Sequence, residues 1–224
     1  MKNVSQEGRT VIFVSHNTNA IQQLCSRVLW MDKGHIVQDT TDVHGVAGNY
    51  LFGNEDTPHR SSWLKGRDGS FSNDHFELNV FRLYDEDGHD LPAAIPNFRS
   101  ARLEIDLTLT AVDPLLRFGY AVYDENGTCV YWSTITDTPE KSWPQLTVGR
   151  NRLVTAIPPR FLNEGRYRID FFACLHNVKT LSEPERTPVS VTLQIQGGLS
   201  DSPYWIDYRH GTVAPVLQWS KTDS

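Results

Sequence analysis

Between residues 71 and 196 the chain alternates apolar and polar positions in short runs separated by turn sequences. In the run 102–110, for example, Leu103, Ile105 and Leu107 fall on one face of an extended strand. The dipeptide Asn126-Gly127 between two runs is a strong hairpin signal. This pattern predicts a mainly β domain, an immunoglobulin-like antiparallel β-sandwich of about seven strands. The predicted strands span residues 74–84, 102–110, 117–123, 129–137, 151–157, 166–175 and 188–196.

The first 52 residues follow a different pattern, in which strands alternate with helices. The continuous apolar run 10–15 predicts a strand buried on both faces of a parallel sheet. A short helix should follow near residues 20–24, then a hairpin of strands 27–31 and 35–38, and a further helix over 43–52. A parallel-type strand needs parallel neighbours, and this segment supplies none. We therefore expect residues 1–52 to be an incomplete α/β unit.

The two patterns are separated by a polar stretch, residues 53–70, which carries Gly53, Pro58, Gly66 and Gly69 and predicts a linker. The predicted organisation is an incomplete α/β segment over 1–52, a linker over 53–70 and a β-sandwich over 71–224. At the entry to the sixth predicted strand, Tyr167 follows Gly165. This arrangement is typical of a tyrosine corner, although a plain core tyrosine would produce the same sequence.

The composition excludes several classes of partner. The formal net charge of −6 argues against binding a nucleic-acid backbone, which requires a concentrated basic surface. No apolar run approaches the roughly 20 residues of a membrane-spanning helix, so we expect no direct membrane insertion. Cys25, Cys129 and Cys174 form no C-x-x-C pair, which favours a reducing, cytoplasmic location.

Residues 8–17, GRTVIFVSHN, and residues 24–37, LCSRVLWMDKGHIV, together resemble the switch strand and H-loop of ABC-transporter ATPases. The resemblance implies that His16 corresponds to the histidine that contacts the γ-phosphate of ATP and the attacking water. The sequence contains no G-x-x-x-x-G-K-[ST] motif to cradle phosphates, so we expect His16 to be a relic without catalysis here. This chain is then no enzyme and needs no cofactor, whereas a full-length parent would use ATP and Mg²⁺.

Residues 53–224 resemble the domain that follows the ATPase domain in Wzt-type subunits of O-antigen exporters. The segment 205–219, WIDYRHGTVAPVLQW, is similar to the C-terminal motif of that family, R-x-G-x-v-x-P-x-x-x-W. The resemblance implies non-catalytic binding of the non-reducing end of a lipid-linked O-antigen polysaccharide, coupled to export. It also implies a homodimer that reaches the membrane-spanning transporter subunit through the full-length ATPase, at the cytoplasmic side of the inner membrane.

Sugar recognition requires flat apolar rings and planar polar side chains, and sandwiches often present these on the outer face of a sheet. On the sixth predicted strand, alternation turns Tyr167, Ile169, Phe171 and Ala173 inward, and Arg166, Arg168, Asp170, Phe172 and Cys174 outward. The neighbouring hairpin adds aromatic and hydroxyl side chains, although alternation alone does not fix which of them face outward. The best candidates for carbohydrate binding are Arg117, Tyr123, Trp132, Arg168, Asp170 and His176.

Two other functions remain open at this stage: a glycan-modifying enzyme on a β-sandwich, and a structural adaptor that docks polymer-synthesis machinery. No metal site is expected. The acidic stretch 85–90, DEDGHD, has its glycine in the wrong position for a calcium-binding loop, and a hairpin turn explains it better.

Overall fold

The computed structural model describes residues 11–14, 21, 24–32, 34–43, 46, 59–197, 201–202 and 210–222. Within these residues the regular structure is almost entirely β, with helical positions at residues 21, 24, 43 and 46 and one short 3-10 turn at Glu140–Ser142. The strands are β1 (Val28–Asp32), β2 (His35–Thr40), β3 (Ser62–Leu64), β4 (Phe71–Ser72), β5 (Phe76–Tyr84), β6 (Ala101–Leu109), β7 (Leu116–Tyr123), β8 (Cys129–Thr134), β9 (Gly149–Ile157), β10 (Gly165–Leu175), β11 (Lys179–Ser182) and β12 (Ser190–Ile195).

Ten of these strands form two antiparallel five-stranded sheets that face each other, which confirms the predicted β-sandwich. Sheet I has the order β3-β5-β6-β9, with β4 also paired to β5. Sheet II has the order β11-β10-β7-β8, with β12 also paired to β10. The seven strands predicted from alternation are β5, β6, β7, β8, β9, β10 and β12, and the three short strands β3, β4 and β11 were not predicted.

The core lies between the sheets and is built around aromatic rings. Phe118 and Phe171 of sheet II stack with their centroids 6.4 Å apart, and Phe76 of sheet I meets Phe118 edge-on at 5.1 Å. All three side chains are at most 1 % exposed. Burying each ring contributes roughly 1.5–3 kcal/mol, so this cluster is a main source of the sandwich's stability.

The packed domain begins earlier than the predicted boundary at residue 71. Strand β3 lies inside the segment assigned to the linker, and it pairs with β5 so that Trp63 stands opposite Phe81. Trp63 is 1 % exposed and belongs to the core. This strand was not predicted because it has only three residues, too few to show alternation, and because glycines and polar residues flank it.

In the first segment, the predicted hairpin is confirmed: β1 and β2 pair antiparallel. The predicted strand over 10–15 is not confirmed, because residues 11–14 have no regular structure and Val14 is 91 % exposed. A strand from the middle of a parallel sheet needs parallel partners, and among the described residues none pairs with 11–14. The described residues of the two predicted helices, 21, 24, 43 and 46, are helical. Within the described part of the chain, no helix has the length and hydrophobicity needed to cross a membrane.

Tyr167 forms the tyrosine corner. Its ring is 2 % exposed, and its hydroxyl lies 2.9 Å from the Asn163 carbonyl oxygen and 3.0 Å from that of Thr212. The Thr212 carbonyl also accepts a hydrogen bond from the Asn163 amide, and Val213 bridges to Leu162. Residues 212–214, which come after β12 in sequence, therefore pack against residues 161–163 at one end of the sandwich, and we call them the return segment.

Candidate functional site

The register of sheet II brings most of the predicted site residues onto one face. On β7 and β10, Tyr123 stands opposite Arg168, and Ala121 stands opposite both Asp170 on β10 and Trp132 on β8. Residues opposite each other in an antiparallel pair share a face. The residues between them, such as Phe118, Val122 and Ile169, are fully buried in the core. The predicted residues therefore lie on the outer face of sheet II: Arg117, Tyr123, Trp132, Arg168 and Asp170.

His176 lies beyond this face, just after the end of β10. Its backbone amide donates to the Leu115 carbonyl at 2.8 Å, and the residue is exposed. It stands at the rim of the sheet, in the turn that leads to β11.

The outer face is covered over one half. Asp170 is fully buried, because the segment between β11 and β12 crosses above it. The Glu185 backbone amide donates to Asp170 Oδ2 at 2.8 Å, and Arg168 Nε donates to Oδ1 at 2.7 Å. Tyr123 is 2 % exposed under the same segment. Alternation assigned Arg168 and Asp170 to the correct face, but the expectation that Asp170 meets solvent is wrong. Tyr123, whose direction alternation alone did not fix, is buried as well.

The covered half contains a polar cluster of Arg168, Asp170, Tyr123 and Glu185, in which the pKa values of Asp170 and Tyr123 are raised. Burial raises the pKa of Asp170, while the Arg168 guanidinium and the Glu185 amide oppose that shift. Burial also raises the pKa of Tyr123, and the negative charge of Glu185 adds to it. Tyr123 therefore stays neutral and donates a hydrogen bond to the Glu185 side chain. This cluster holds the covering segment in place.

The other half of the face is open and apolar. Trp132 is 47 % exposed, and its ring meets that of Phe172 edge-on with the centroids 5.0 Å apart. These two rings come from β8 and β10, on either side of β7. They meet above β7 because it carries only Gly119 and Ala121 at this point. We call Trp132 and Phe172 the aromatic platform.

Gly119 is required for this close packing. A Cβ atom added to it would lie 2.2 Å from the Ser133 carbonyl oxygen of β8. No real side chain tolerates that distance, so the strands would have to separate. The glycine thus allows β8 to approach β7 closely enough for Trp132 to reach across.

Arg117 borders the open half. Its guanidinium carbon lies 5.1 Å from the ring centroid of Trp143, and Nη1 donates to the carbonyls of Pro114 and Leu116 at 2.7 and 2.9 Å. The indole nitrogen of Trp143 in turn donates to the Thr138 carbonyl at 2.7 Å. Arg117 is therefore held in one orientation beside the open face.

Two residues of this site were not in the predicted set. Phe172 was expected to point outward but was not selected, and Trp143 lies in the loop between β8 and β9, where no periodicity guides an assignment. The available signal for Trp143 was an aromatic residue within the polar, proline-containing loop DTPEKSWPQ.

The acidic stretch 85–90 forms a turn. Asp85 Oδ1 accepts the backbone amides of Asp87 and His89 at 3.0 and 2.9 Å, and the Gly88 amide donates to the Asp85 carbonyl at 3.1 Å. Ligand atoms of Asp85, Asp87 and His89 lie within 4.8 Å of one another. The hydrogen bonds to Asp85 account for this grouping, since they are those of a side chain that closes a turn.

Comparisons with known proteins find similarity in structure but none in sequence. No protein-family model matches the chain, and no curated protein sequence matches it. The structure is similar to the crystal structure of the C-terminal domain of Wzt, with a TM-score of 0.45 and 14 % sequence identity. The similarity covers 75 % of this chain and 90 % of that domain.

Several parts of the sequence resemblance lie outside the described residues, among them residues 8–10, 15–17 and 33. Two of the parts on which the resemblance rests lie there. These are His16, at the predicted H-loop position, and residues 205–209 of the closing segment. Of the closing segment, residues 210–219 are described. Gly211 has a left-handed φ of 102°, and the Ala214 amide donates to the Phe161 carbonyl at 2.8 Å.

Proposed function

We propose that the sandwich is a non-catalytic carbohydrate-binding domain that holds a sugar ring on the open half of sheet II. The observation that carries this proposal is the exposed Trp132 ring, packed on Phe172 beside the oriented guanidinium of Arg117. A flat exposed indole matches the C–H face of a pyranose. The guanidinium edge supplies donors for hydroxyl, carboxylate or phosphate groups.

The site is open and contacts a sugar from one side. Binding to such a surface should be weak, in the millimolar range that corresponds to about −4 kcal/mol. A polymer that is presented to paired domains would gain affinity through multivalency rather than through further contacts.

We further propose that the ligand is the non-reducing end of a lipid-linked O-antigen polysaccharide, and that its binding couples recognition to export by an ABC transporter. The resemblance of residues 8–17 and 24–37 to an ABC ATPase, and of residues 205–219 to the C-terminal motif of the Wzt family, supports this role. The transporter subunit, the location at the cytoplasmic side of the inner membrane and the use of ATP by a full-length parent belong to the same proposal.

A homodimer is part of this proposal, since ABC ATPase domains work in pairs. The segment after residue 214 offers a surface for it: Leu217 is 68 % exposed and Trp219 is 94 % exposed. Sedimentation of the chain at high concentration would test the dimer, and a single monomeric species would overturn it.

The binding proposal is tested by NMR titration of the chain with O-polysaccharide fragments that differ at the non-reducing end. Trp132→Ala should weaken binding of the matching fragment about tenfold or more, while thermal unfolding shows an intact fold. Phe98→Ala is the matched control, because it removes an exposed aromatic ring from outside sheet II and outside the proposed dimer surface. Absence of saturable shifts with every fragment at millimolar concentration would overturn the proposal and favour the adaptor function.

A further inference from the structure

The outer face of sheet I, on the opposite side of the sandwich, carries two buried carboxylates. Asp106 is 1 % exposed and Glu104 is 4 % exposed, although both point away from the core. Burying a carboxylate is costly unless it is paired and hydrogen-bonded. Here the pairing is provided by three arginines from the neighbouring strands β5 and β9: Arg82, Arg150 and Arg152.

The carboxylates orient these arginines. Arg150 donates to Asp106 Oδ2 through Nε at 2.9 Å and through Nη2 at 2.7 Å. Arg152 donates to the two oxygens of Glu104 through Nε at 2.5 Å and through Nη2 at 3.0 Å. Each guanidinium donates to its carboxylate through the edge formed by Nε and Nη2. Its Nη1 atom lies on the other side of the guanidinium, away from that carboxylate.

Both β9 arginines remain accessible while they are oriented. The side chain of Arg150 is 72 % exposed and that of Arg152 is 55 % exposed. Arg82 is more enclosed, at 25 %, and it also approaches Asp90 at 3.5 Å, so its charge is already shared. The donors available for a ligand are therefore those of Arg150 and Arg152, which are two residues apart on one strand face.

These residues surround a shallow depression of about 600 Å³ whose apolar lining is Leu64 and Val80. Two guanidinium groups that are fixed side by side match the oxygens of a carboxylate or phosphate, which bind arginine in bidentate fashion. Exposed arginines without such anchoring would lose side-chain entropy on binding, and anchoring removes part of that cost.

We propose that this depression is a binding site for an oxyanion, a carboxylate or a phosphate, held by Arg150 and Arg152. The apolar lining leaves room for the ring of an acidic sugar that carries the anion. The site is independent of the aromatic platform, because the two lie on opposite faces of the sandwich.

The test uses backbone-amide NMR with inorganic phosphate, glucuronate and glucose, each at the same ionic strength set with sodium chloride. Phosphate and glucuronate should produce saturable shifts in β6 and β9, and glucose should not. Shifts with glucuronate alone would assign the site to a sugar-borne carboxylate, and shifts with both would assign it to oxyanions in general. The proposal is overturned if neither phosphate nor glucuronate produces saturable shifts. It is also overturned if added sodium chloride alone produces shifts of the same size.

The decisive variant is Arg150→Lys with Arg152→Lys, which preserves the charges that pair with Asp106 and Glu104 but removes the planar donor edges. It should weaken anion binding at least about fivefold, since lysine provides only a point charge. Arg186→Lys, at an exposed ion pair with Glu183, is the matched control. Unchanged anion affinity in the double variant would overturn the site. Trp132→Ala should leave anion binding unaltered. A failure of the anion-site proposal can therefore be distinguished from a failure of the glycan-binding proposal.

Discussion

Arg168 and Asp170, two positions apart on β10, form an ion pair 2.7 Å long in which the carboxylate is completely buried. The pair lies on the outer face of sheet II, where strand alternation alone would place both side chains in water. The Glu185 amide completes the coordination of Asp170 from the segment above. The pair thus connects β10 to the segment that covers half of this face.

Arg168→Ala should destabilise the fold by about 3–5 kcal/mol, because it leaves a buried carboxylate without its cation. Urea unfolding monitored by fluorescence would measure this loss. Arg186→Ala is the control, since its partner Glu183 is half exposed and such pairs contribute about 0–1 kcal/mol. Equal effects of the two substitutions would contradict the structural role of Arg168. The substitution is also unsuitable as a test of glycan binding.

Asp106 should make the stability of the domain depend on pH. Burial by itself would raise its pKa, but the hydrogen bonds from Arg150 and Asn79 outweigh this and lower the pKa. A carboxyl group with a lowered pKa in the folded state stabilises the fold above its unfolded pKa, about 3.9, and this contribution is lost as the pH falls through the folded value.

The free energy of unfolding of the wild type should therefore exceed that of Asp106→Asn most clearly above about pH 4. The difference should shrink progressively at lower pH. Denaturant titrations of both proteins across the acid range would measure it. A difference that stays constant with pH would show that the ionised form of Asp106 is not the stabilising one.

Gly119→Ala should destabilise the domain by at least about 1–3 kcal/mol, the usual cost of overpacking. The added methyl group would collide with the Ser133 carbonyl oxygen and push β8 away from β7. The same movement should separate Trp132 from Phe172, which would be visible as a change in tryptophan fluorescence. Thr155→Ala, at an exposed position of β9, should stay within about 0.5 kcal/mol. Similar stability of both variants would contradict the close contact.

Tyr167→Phe should cost about 0.5–1.5 kcal/mol, the net value of a typical hydrogen bond. Because the hydroxyl reaches both Asn163 and Thr212, its loss should also loosen the return segment locally. Hydrogen exchange of the Asn163 and Ala214 amides, which bond across this closure, should accelerate more than exchange within β6. Uniform acceleration throughout the domain would show only a global loss of stability.

Much of the fold was predictable because strand alternation is a local property. All seven predicted strands form, and the inward set Tyr167, Ile169, Phe171 and Ala173 is buried as expected. The short strand β3 escaped prediction because three residues carry no period, yet Trp63 is central to the core. The strand predicted over 10–15 was wrong in its described part, because an apolar run becomes a buried strand only beside suitable neighbours.

The candidate site divides in the same way. The order of residues along each strand already assigns Arg168, Asp170 and Phe172 to one face, since the side-chain period of a strand is two. Whether a side chain on that face meets solvent depends on segments distant along the chain. Glu185, fifteen residues after Asp170, buries that carboxylate, while Trp143 arrives from another loop to orient Arg117. The face on which a side chain lies follows from the local geometry of its strand. Its exposure to solvent depends on which other segments pack above that face.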